Sequence, residues 1–462
     1  MSTYAPTAIP NTAMLQRRVL AATSISYIVV ILDISIVNVA LERIAKGLST
    51  DITGLQWVVN AYTLAFASLL LTGGALGDRW GARNVYLIGL VMFTFASAAC
   101  GIAPNLTMLT LARTMQGLGA AMLVPCSLTL LNQAYPDPGG RAHAIGIWAG
   151  CGGAALAAGP LLGGILIDLL GWRSIFLVNV PIGLIGIWMT WRIAQNESPE
   201  SARGLDLYGQ CAGIVALGAL VAVLIEGPTI GWLSMGVLIG LLICLAAWIT
   251  FLMIEARRSQ PMLPLALFRN ALFSGAAIVA MTTTLTFFGL IFVLSLYFQQ
   301  ARGYSPLSTG LAFLPLTAFV TGSNVISGRW AKAYGPRWPV IVGLGCSAIG
   351  FLGMLLPTPA SPYWMVGLPM LAVGVGGGLI TPAVTGALMA SVEKARAGVA
   401  AGVLNAARQT GAALGVAIFG AMISQLHPLE VGLRAALLMA SILSIVAILV
   451  WWFCSIKIAH DA

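Results

Sequence analysis

The sequence predicts an all-α polytopic membrane protein with fourteen transmembrane helices. The chain of 462 residues is 59% hydrophobic and only 8% charged, whereas soluble domains carry about 25% charged residues. Its apolar residues fall into fourteen runs, each long enough to supply the roughly 20 residues that a membrane-spanning helix needs. A loop pattern also recurs at an offset of 254 residues, which indicates two related halves.

The apolar runs place the predicted spans along nearly the whole chain. They cover residues 19–41, 55–77, 85–103, 107–131, 142–168, 174–192, 207–226, 232–254, 272–298, 307–327, 338–357, 362–391, 397–424 and 432–456. The first run is too long for the apolar core of a signal peptide, so we expect a permanent first span and no cleavable signal.

The distribution of basic residues predicts the orientation. An even number of spans places both termini on one side of the membrane. Of the 23 Lys and Arg residues, sixteen lie on that side, five on the other and two, Arg113 and Arg408, inside spans. Because Lys and Arg are enriched in cytoplasmic loops, both termini are expected in the cytoplasm of a cell whose inner membrane holds the protein.

Composition and motifs argue against soluble chemistry. The net charge of +9 comes from short loops between spans, so it favours a topological role and no nucleic-acid partner. The seven cysteines form no CxxC pair and the three histidines match no ligand spacing, so neither disulfides nor a metal site are expected. Without a catalytic constellation or a Walker lysine loop, we expect neither an enzyme nor a cofactor.

Two glycine-framed loops carry the internal repeat. Gly74 and Gly81 are seven residues apart, as are Gly328 and Gly335, and an arginine follows two residues after each second glycine. The same offset superimposes the fourth span on the twelfth and the fifth on the thirteenth, which predicts a parallel repeat of two six-helix bundles. The predicted division is an N-terminal bundle at 1–192, linkers with two inserted helices at 193–271, and a C-terminal bundle at 272–462.

Three charged residues, Asp33, Arg113 and Arg408, lie deep within the spans and are not repeated between the halves. Asp33 lies inside the apolar stretch 28–41, where a carboxylate is unfavourable by about 2.5–3.5 kcal/mol on insertion scales. At the repeat offset Asp33 corresponds to Phe287, so the chemistry is expected to be asymmetric. A buried carboxyl group favours its neutral form, which suits a site that alternates between a proton and a substrate; the alternative is a structural polar residue.

Several motifs together resemble one transporter family. The loop Gly74–Arg83 is similar to the loop 2–3 signature of the major facilitator superfamily, and Leu111–Gly117 and Ala158–Gly164 resemble its fourth-span and fifth-span "antiporter" motifs. Leu32–Leu41 resembles the first-span motif of the fourteen-helix drug:proton antiporter branch, except that Glu42 stands where that branch usually has proline. Runs 171–181, 303–307 and 402–409 are also similar to that branch.

The resemblance implies roles for particular residues. It implies proton coupling by Asp33 and Arg113, although Arg113 could instead be an inert strut between helices. The first loop implies a conformational lock, with a purely topological basic loop as the alternative; its residues are Gly74, Asp78, Arg79, Gly81 and Arg83. The antiporter-motif helix carries Gly159, Pro160, Gly163 and Gly164. Candidate polar residues of a central cavity are Ser26, Asn38, Gln116, Asn405, Arg408 and Gln409; Arg408 could equally be an interhelical strut.

The implied function is proton-coupled efflux by alternating access. The expected substrates are small amphipathic compounds, cationic or aromatic, and the expected partners are protons and the lipid bilayer, with the protein acting as a monomer. One alternative is an exporter of a single metabolite or self-made antibiotic. Another is a receptor or scaffold that no longer transports, which the retention of Asp33, Arg113 and Arg408 disfavours.

Overall fold

The computed structural model describes residues 12–193, 206–258, 263–393 and 397–456. Apart from one 3-10 turn, Leu265–Arg269, its regular elements form fourteen helices in the predicted order. The helices are α1 Thr12–Leu48, α2 Ile52–Trp80, α3 Ala82–Gly101, α4 Leu106–Ala134, α5 Pro138–Leu170, α6 Ser174–Trp191, α7 Leu207–Ile230, α8 Met235–Arg257, α9 Ala271–Ala301, α10 Pro306–Tyr334, α11 Arg337–Gly353, α12 Trp364–Ala390, α13 Ala397–Gln425 and α14 Leu429–Ile456.

Thirteen of these helices are long and apolar enough to cross a membrane. The exception is α11, which has 17 residues and ends at Gly353, four residues before the predicted end at 357. A helix of that length spans about 25 Å, somewhat less than the hydrocarbon core of a typical bilayer. The predicted end of span seven at Glu226 was also too early, because α7 continues one turn further to Ile230.

Short polar residues fix where many helices begin. Asp51, Asn105 and Asp137 each accept a hydrogen bond from the backbone N–H three residues later, at 3.0, 2.9 and 2.6 Å. Such caps satisfy backbone donors that have no partner within the helix. Capping residues that are visible in the sequence therefore mark where these helices begin. Most helices extend beyond the apolar runs that predicted them.

The helix packing repeats between the two halves, which confirms the predicted fold class. In the first half α2 packs on α4, α3 on α4 and on α6, and α1 on α5; in the second half the corresponding pairs are α10–α12, α11–α12, α11–α14 and α9–α13. The two glycine-framed loops are also alike, since Gly81 and Gly335 have φ angles of +84° and +77°. Only glycine adopts this backbone readily, which accounts for its recurrence. The residue limits of the three predicted segments stay a prediction.

The two halves meet along two seams, α5–α10 and α2–α13. Both are tight at the end of the bundle that carries loops 49–51 and 302–305, which we call the closed end. In the α2–α13 seam, Gln56 Nε2 donates to the carbonyl oxygen of Ala417 at 2.8 Å. In the α5–α10 seam, a β-carbon on Gly310 would lie 2.2 Å from the Pro160 carbonyl oxygen. At the same end α1 and α9 are joined, since Gln299 Nε2 donates to the Val39 carbonyl oxygen at 3.1 Å.

The opposite end, which carries Thr12, Gly81 and Ile456, is the open end. Along α5, a carbon placed on Gly146, Gly150 or Gly153 would find no atom within 4 Å. The α5–α10 seam is thus separated toward the open end, below its last contacts near Thr317 and Ala157.

Of the two inserted helices, α7 lies on the α2–α13 seam and α8 packs against α7. Helix α7 packs on α2, α13 and α8, and its Leu217, Val221 and Ile225 form a buried cluster with Ala67 of α2 and Ala413 and Ala417 of α13. The indole of Trp57 donates to Glu226 Oε1 at 2.8 Å. This hydrogen bond joins the first half to α7.

Candidate functional site

A buried ion pair links α1 to α4 inside the first half. Arg113 Nη1 contacts Asp33 Oδ2 closely, and the two residues are 1% and 0% exposed. Their mutual attraction offsets the desolvation of both charges, which neither would tolerate alone. Asp33 is therefore compensated by a partner charge, one of the ways in which a carboxylate can persist in a membrane interior.

Two amides complete the environment of the carboxylate. Asn179 Nδ2 of α6 and Gln116 Nε2 of α4 both donate to Asp33 Oδ1, at 2.9 and 3.2 Å. With Arg113 on the other oxygen, donors from two helices surround the group. Such donors stabilise the charged form of a carboxylate, so removing its charge would disturb α1, α4 and α6 together.

Arg113 has further contacts that do not depend on Asp33. Its Nε donates to the carbonyl oxygen of Val58 at 3.2 Å and its Nη1 to Gln116 Oε1 at 2.8 Å. The guanidinium carbon lies 4.4 Å from the ring centroid of Tyr62, within cation–π range. The approach of α4 to α2 requires glycine at 117, where a β-carbon would lie 2.4 Å from the Tyr62 carbonyl oxygen.

Asn179, Tyr62 and Ser97 are members of this site that sequence reasoning did not assign. Ser97 Oγ accepts a hydrogen bond from Gln116 Nε2 at 2.7 Å. Asn179 lies 146 positions from Asp33, and no local pattern pairs residues across such a distance. Its signals were an amide in an otherwise apolar run and its place in the run 171–181, which is similar to the antiporter branch. Asn179 Oδ1 and Tyr62 Oη are buried without a hydrogen-bond partner among the described residues, so the site has unused polar capacity.

Three of the candidate cavity residues lie in helix contacts rather than on an open wall. Ser26 is 1% exposed, forms a short hydrogen bond with Tyr86 Oη, and donates to the Ala22 carbonyl at 2.9 Å. Asn38 is 4% exposed and donates to the Ile34 carbonyl at 3.1 Å. Gln116 belongs to the buried ion pair. The close approach of α1 to α3, α4 and α9 buries these side chains.

The other three candidates share a face at the gap between the halves. Asn405, Arg408 and Gln409 of α13 are all half-buried. Arg408 Nη2 donates to Thr385 Oγ1 at 2.7 Å and to the Thr381 carbonyl at 3.3 Å, both on α12. Arg408 also lies close enough to Tyr27 of α1 to interact with it electrostatically. The structure therefore has two cationic sites of different kinds, one sealed and one at the gap.

The predicted lock lies at the open end. Gly81 alone separates α2 from α3, and Asp78 and Arg79 are exposed on the last turn of α2. Arg83 Nη2 donates to the carbonyl oxygen of Trp191, at the end of α6, at 2.9 Å. The loop thus connects α2, α3 and α6, while its role as a conformational lock stays a prediction.

The antiporter-motif residues of α5 form helix contacts on two sides. A β-carbon on Gly159 or Gly163 would collide with Ser35 or Ile36 of α1, at 1.8 and 2.7 Å. On the other side, one on Gly164 would lie 2.6 Å from Leu307 of α10. Small residues permit such close approach between membrane helices. Pro160 lies inside the helix, where its missing N–H leaves a backbone carbonyl without its usual helical partner.

Comparison with known proteins places the chain in a family. The family model described as Major Facilitator Superfamily matches residues 23–416. The chain belongs to the major facilitator superfamily. It is thus a multi-pass membrane protein of a family of transporters, in agreement with its apolar helices.

Two curated relatives and one solved structure resemble it over most of their length. The chain is 37% identical to a methylenomycin A resistance protein of Bacillus subtilis, covering 94% of each chain. It is 38% identical to the multidrug resistance protein Stp of Mycobacterium tuberculosis, covering 88% of this chain and 75% of that protein. A bacterial homologue of the human lysosomal transporter Spinster shares the fold, with a TM-score of 0.69, 16% identity and coverage of 97% and 98%.

Proposed function

We propose that this protein exports amphipathic drugs across the cytoplasmic membrane in exchange for protons. The observation that carries the proposal is the sealed Asp33–Arg113 pair, in a chain whose relatives are named for antibiotic and multidrug resistance. A titratable group buried beside a fixed positive charge can couple a change in protonation to a change in helix packing.

The orientation follows from the basic loops. The end with Thr12, Gly81 and Ile456 carries the excess of Lys and Arg, so it faces the cytoplasm. In this orientation the α5–α10 seam is closed toward the outside and separated toward the cytoplasm, which supports a state in which an exporter takes up its substrate. Both the buried pair and the gap lie within one chain, so a monomer suffices for the cycle.

Protonation of Asp33 is the coupling step. A neutral carboxyl no longer attracts Arg113, which keeps its contacts with Val58, Gln116 and Tyr62. Asn179 can accommodate both forms of Asp33, because rotating its amide by 180° would present the unused Oδ1 as an acceptor for the acid proton. Helix α1 is therefore released from α4 when Asp33 binds the proton, and the ion pair holds the two helices together when the proton leaves.

The cost of an unpaired buried charge requires that protonation of Asp33 and separation of the ion pair occur together. Removing one partner of a buried pair costs about 3–5 kcal/mol, because it leaves an uncompensated charge. Separation of Asp33 and Arg113 without a proton would incur a comparable penalty. Proton arrival from outside thus lowers the barrier to the change of conformation, and the lock loop Gly74–Arg83 contributes at the cytoplasmic end.

A second candidate is export of one compound. The Bacillus relative is named for resistance to a single antibiotic, methylenomycin A, whereas Stp is named for multidrug resistance. Measured against a panel of unrelated compounds in liposomes, a multidrug exporter moves many of them, whereas a specific exporter moves one.

The test is uptake into proteoliposomes under an imposed pH gradient. We expect native protein to accumulate an amphipathic dye and Asp33→Asn to lose gradient-driven accumulation while purifying normally. Asp168→Asn is the matched control, since Asp168 is an exposed acid near the end of α5, and it should transport like native protein. Gradient-driven accumulation by Asp33→Asn at the native rate would refute the proposal.

A further inference from the structure

The cation at the gap between the halves has donors to spare. Arg408 uses Nη2 for Thr385 and for the Thr381 carbonyl, and no carboxylate pairs with it within the described residues. Its side chain is half-buried and Thr381 is exposed. A guanidinium has five N–H donors and stays charged in proteins, so this site can bind a further acceptor. If Arg408 served only to link α12 and α13, its Nη2 would be sufficient for that role.

An aromatic pair of the first half lies within electrostatic range of Arg408. Tyr27 of α1 and Trp148 of α5 stack with their ring centroids 3.7 Å apart and their planes 16° apart. Arg408 acts electrostatically on Tyr27, so the pair lies across from the guanidinium within the range of a charge interaction. Trp148 is 7% exposed, and its Nε1–H is buried without a hydrogen-bond partner among the described residues.

The polar groups of Arg408, Tyr27 and Trp148 can bind a hydrogen-bond acceptor. Arg408 and Trp148 can only donate hydrogen bonds, whereas Tyr27 can donate one and also accept. The one acid deep in a span of the first half, Asp33, is sealed against Arg113 and 0% exposed. A cationic substrate would therefore meet a fixed positive charge at the gap and no free carboxylate from Asp33.

We propose that Arg408, Tyr27 and Trp148 form the recognition site for substrates that carry an anionic or carbonyl-rich group on an aromatic skeleton. The inference rests on the proposed export function and specifies its substrate class. Arg408 binds the acidic or carbonyl oxygens, Trp148 Nε1 supplies a second donor, and the aromatic pair provides an apolar wall for the rest of the molecule. This class differs from the cationic compounds that the family resemblance implies.

The test compares two ligands with one skeleton in equilibrium binding to purified full-length protein. The probes are 9-anthracenecarboxylate and 9-(aminomethyl)anthracene, measured by equilibrium dialysis. We expect native protein to prefer the carboxylate and Arg408→Gln to weaken carboxylate binding by about tenfold or more, as for lost hydrogen bonds to a charged group. Arg408→Lys, which keeps the charge but not the fork of donors, should restore part of that loss.

Two further variants extend the binding test, one at Trp148 and one as a control. Trp148→Phe keeps an aromatic ring without its N–H and should weaken the carboxylate by a smaller factor. Arg434→Gln is the matched control, because Arg434 is an exposed arginine of α14, and it should leave both affinities unchanged. Thermal unfolding of each variant near the native midpoint excludes loss of fold.

The outcomes separate the two proposals. A native preference for the amine, or an unchanged carboxylate-to-amine ratio in folded Arg408→Gln, would overturn the recognition site. Because binding is measured without a pH gradient, these results do not depend on proton coupling. If Asp33→Asn transports normally while the carboxylate preference depends on Arg408, the coupling proposal fails and the recognition site stands.

Discussion

Each half of the molecule has an arginine within a span, and the contacts of the two arginines differ. Arg113 is 1% exposed and donates hydrogen bonds to Asp33, Gln116 and Val58 through two nitrogens, whereas Arg408 is half-buried and anchored through one nitrogen. A cation with a carboxylate partner responds to the proton on that partner. A cation with free donors at a gap responds to whatever enters the gap. The near-symmetric fold thus carries two different chemistries, which suits an exporter that must bind a proton and a substrate separately.

The largest expected difference between the two arginines is in their contribution to stability. We expect Arg113→Ala to lower the free energy of unfolding by about 3–5 kcal/mol, because it leaves Asp33 charged and buried. Arg408→Ala should lower it by less than about 1 kcal/mol, since no buried charge loses its partner. Unfolding in detergent, followed by tryptophan fluorescence, measures both. Equal losses for the two arginines would show that they are equivalent struts.

Asn179 tests whether the sealed site depends on more than its ion pair. Asn179→Leu removes the 2.9 Å hydrogen bond to Asp33, and we expect a loss of about 1.5–3 kcal/mol, the usual range for bonds to charged groups. In the double variant Asp33→Asn/Asn179→Leu the two losses should not add, because the amide no longer faces a charge. Additive losses in this double-mutant cycle would place Asn179 outside the site.

The closed end can be tested by paired glycine variants on α10. A β-carbon on Gly310 would lie 2.2 Å from the Pro160 carbonyl oxygen, whereas one on Gly322 meets nothing within 4 Å. Gly310→Ala should therefore destabilise the protein by about 1–3 kcal/mol, as overpacking does. Gly322→Ala should leave thermal unfolding at the native value. If both variants unfolded alike, the asymmetry between the two ends of this seam would be unsupported.

The smallest expected effect concerns the inserted helices. Trp57→Phe removes the indole hydrogen bond to Glu226, and we expect a loss of about 0.5–1.5 kcal/mol. Trp188→Phe serves as the control, because Trp188 is exposed on α6. A larger loss for Trp188→Phe, or none for Trp57→Phe, would argue against attachment of α7 to the first half through this bond.

Much of the fold could be predicted because its signals are local. Apolar runs specify spans, and capping residues such as Asp51 and Asn105 specify where helices begin. Gly81 and Gly335 are visible as a repeat because a positive φ angle requires glycine at both positions. The short α11 was less predictable, since the apolar sequence continues past Gly353, where the helix ends.

The site could be predicted only in part, because its partners are distant in sequence. Asp33 and Arg113 were each anomalous in an apolar run, but neither position indicates that they pair. Ser26 and Asn38 were expected on a cavity wall because they are polar. Helix packing buries them instead, since a hydroxyl or an amide in a membrane helix can be satisfied by backbone carbonyls one turn away. The direction in which a polar side chain faces depends on neighbouring helices, which the sequence alone does not specify.

The most direct test of the division between the two arginines is substrate-driven proton movement in proteoliposomes that contain a pH-sensitive dye. With native protein, a gradient of 9-anthracenecarboxylate should drive protons in the opposite direction. Arg408→Gln should move protons only at much higher carboxylate concentration, with the maximal flux retained. Asp33→Asn should bind the carboxylate yet move no protons at any concentration. Proton movement by Asp33→Asn, or loss of maximal flux with unchanged carboxylate affinity in Arg408→Gln, would contradict the account.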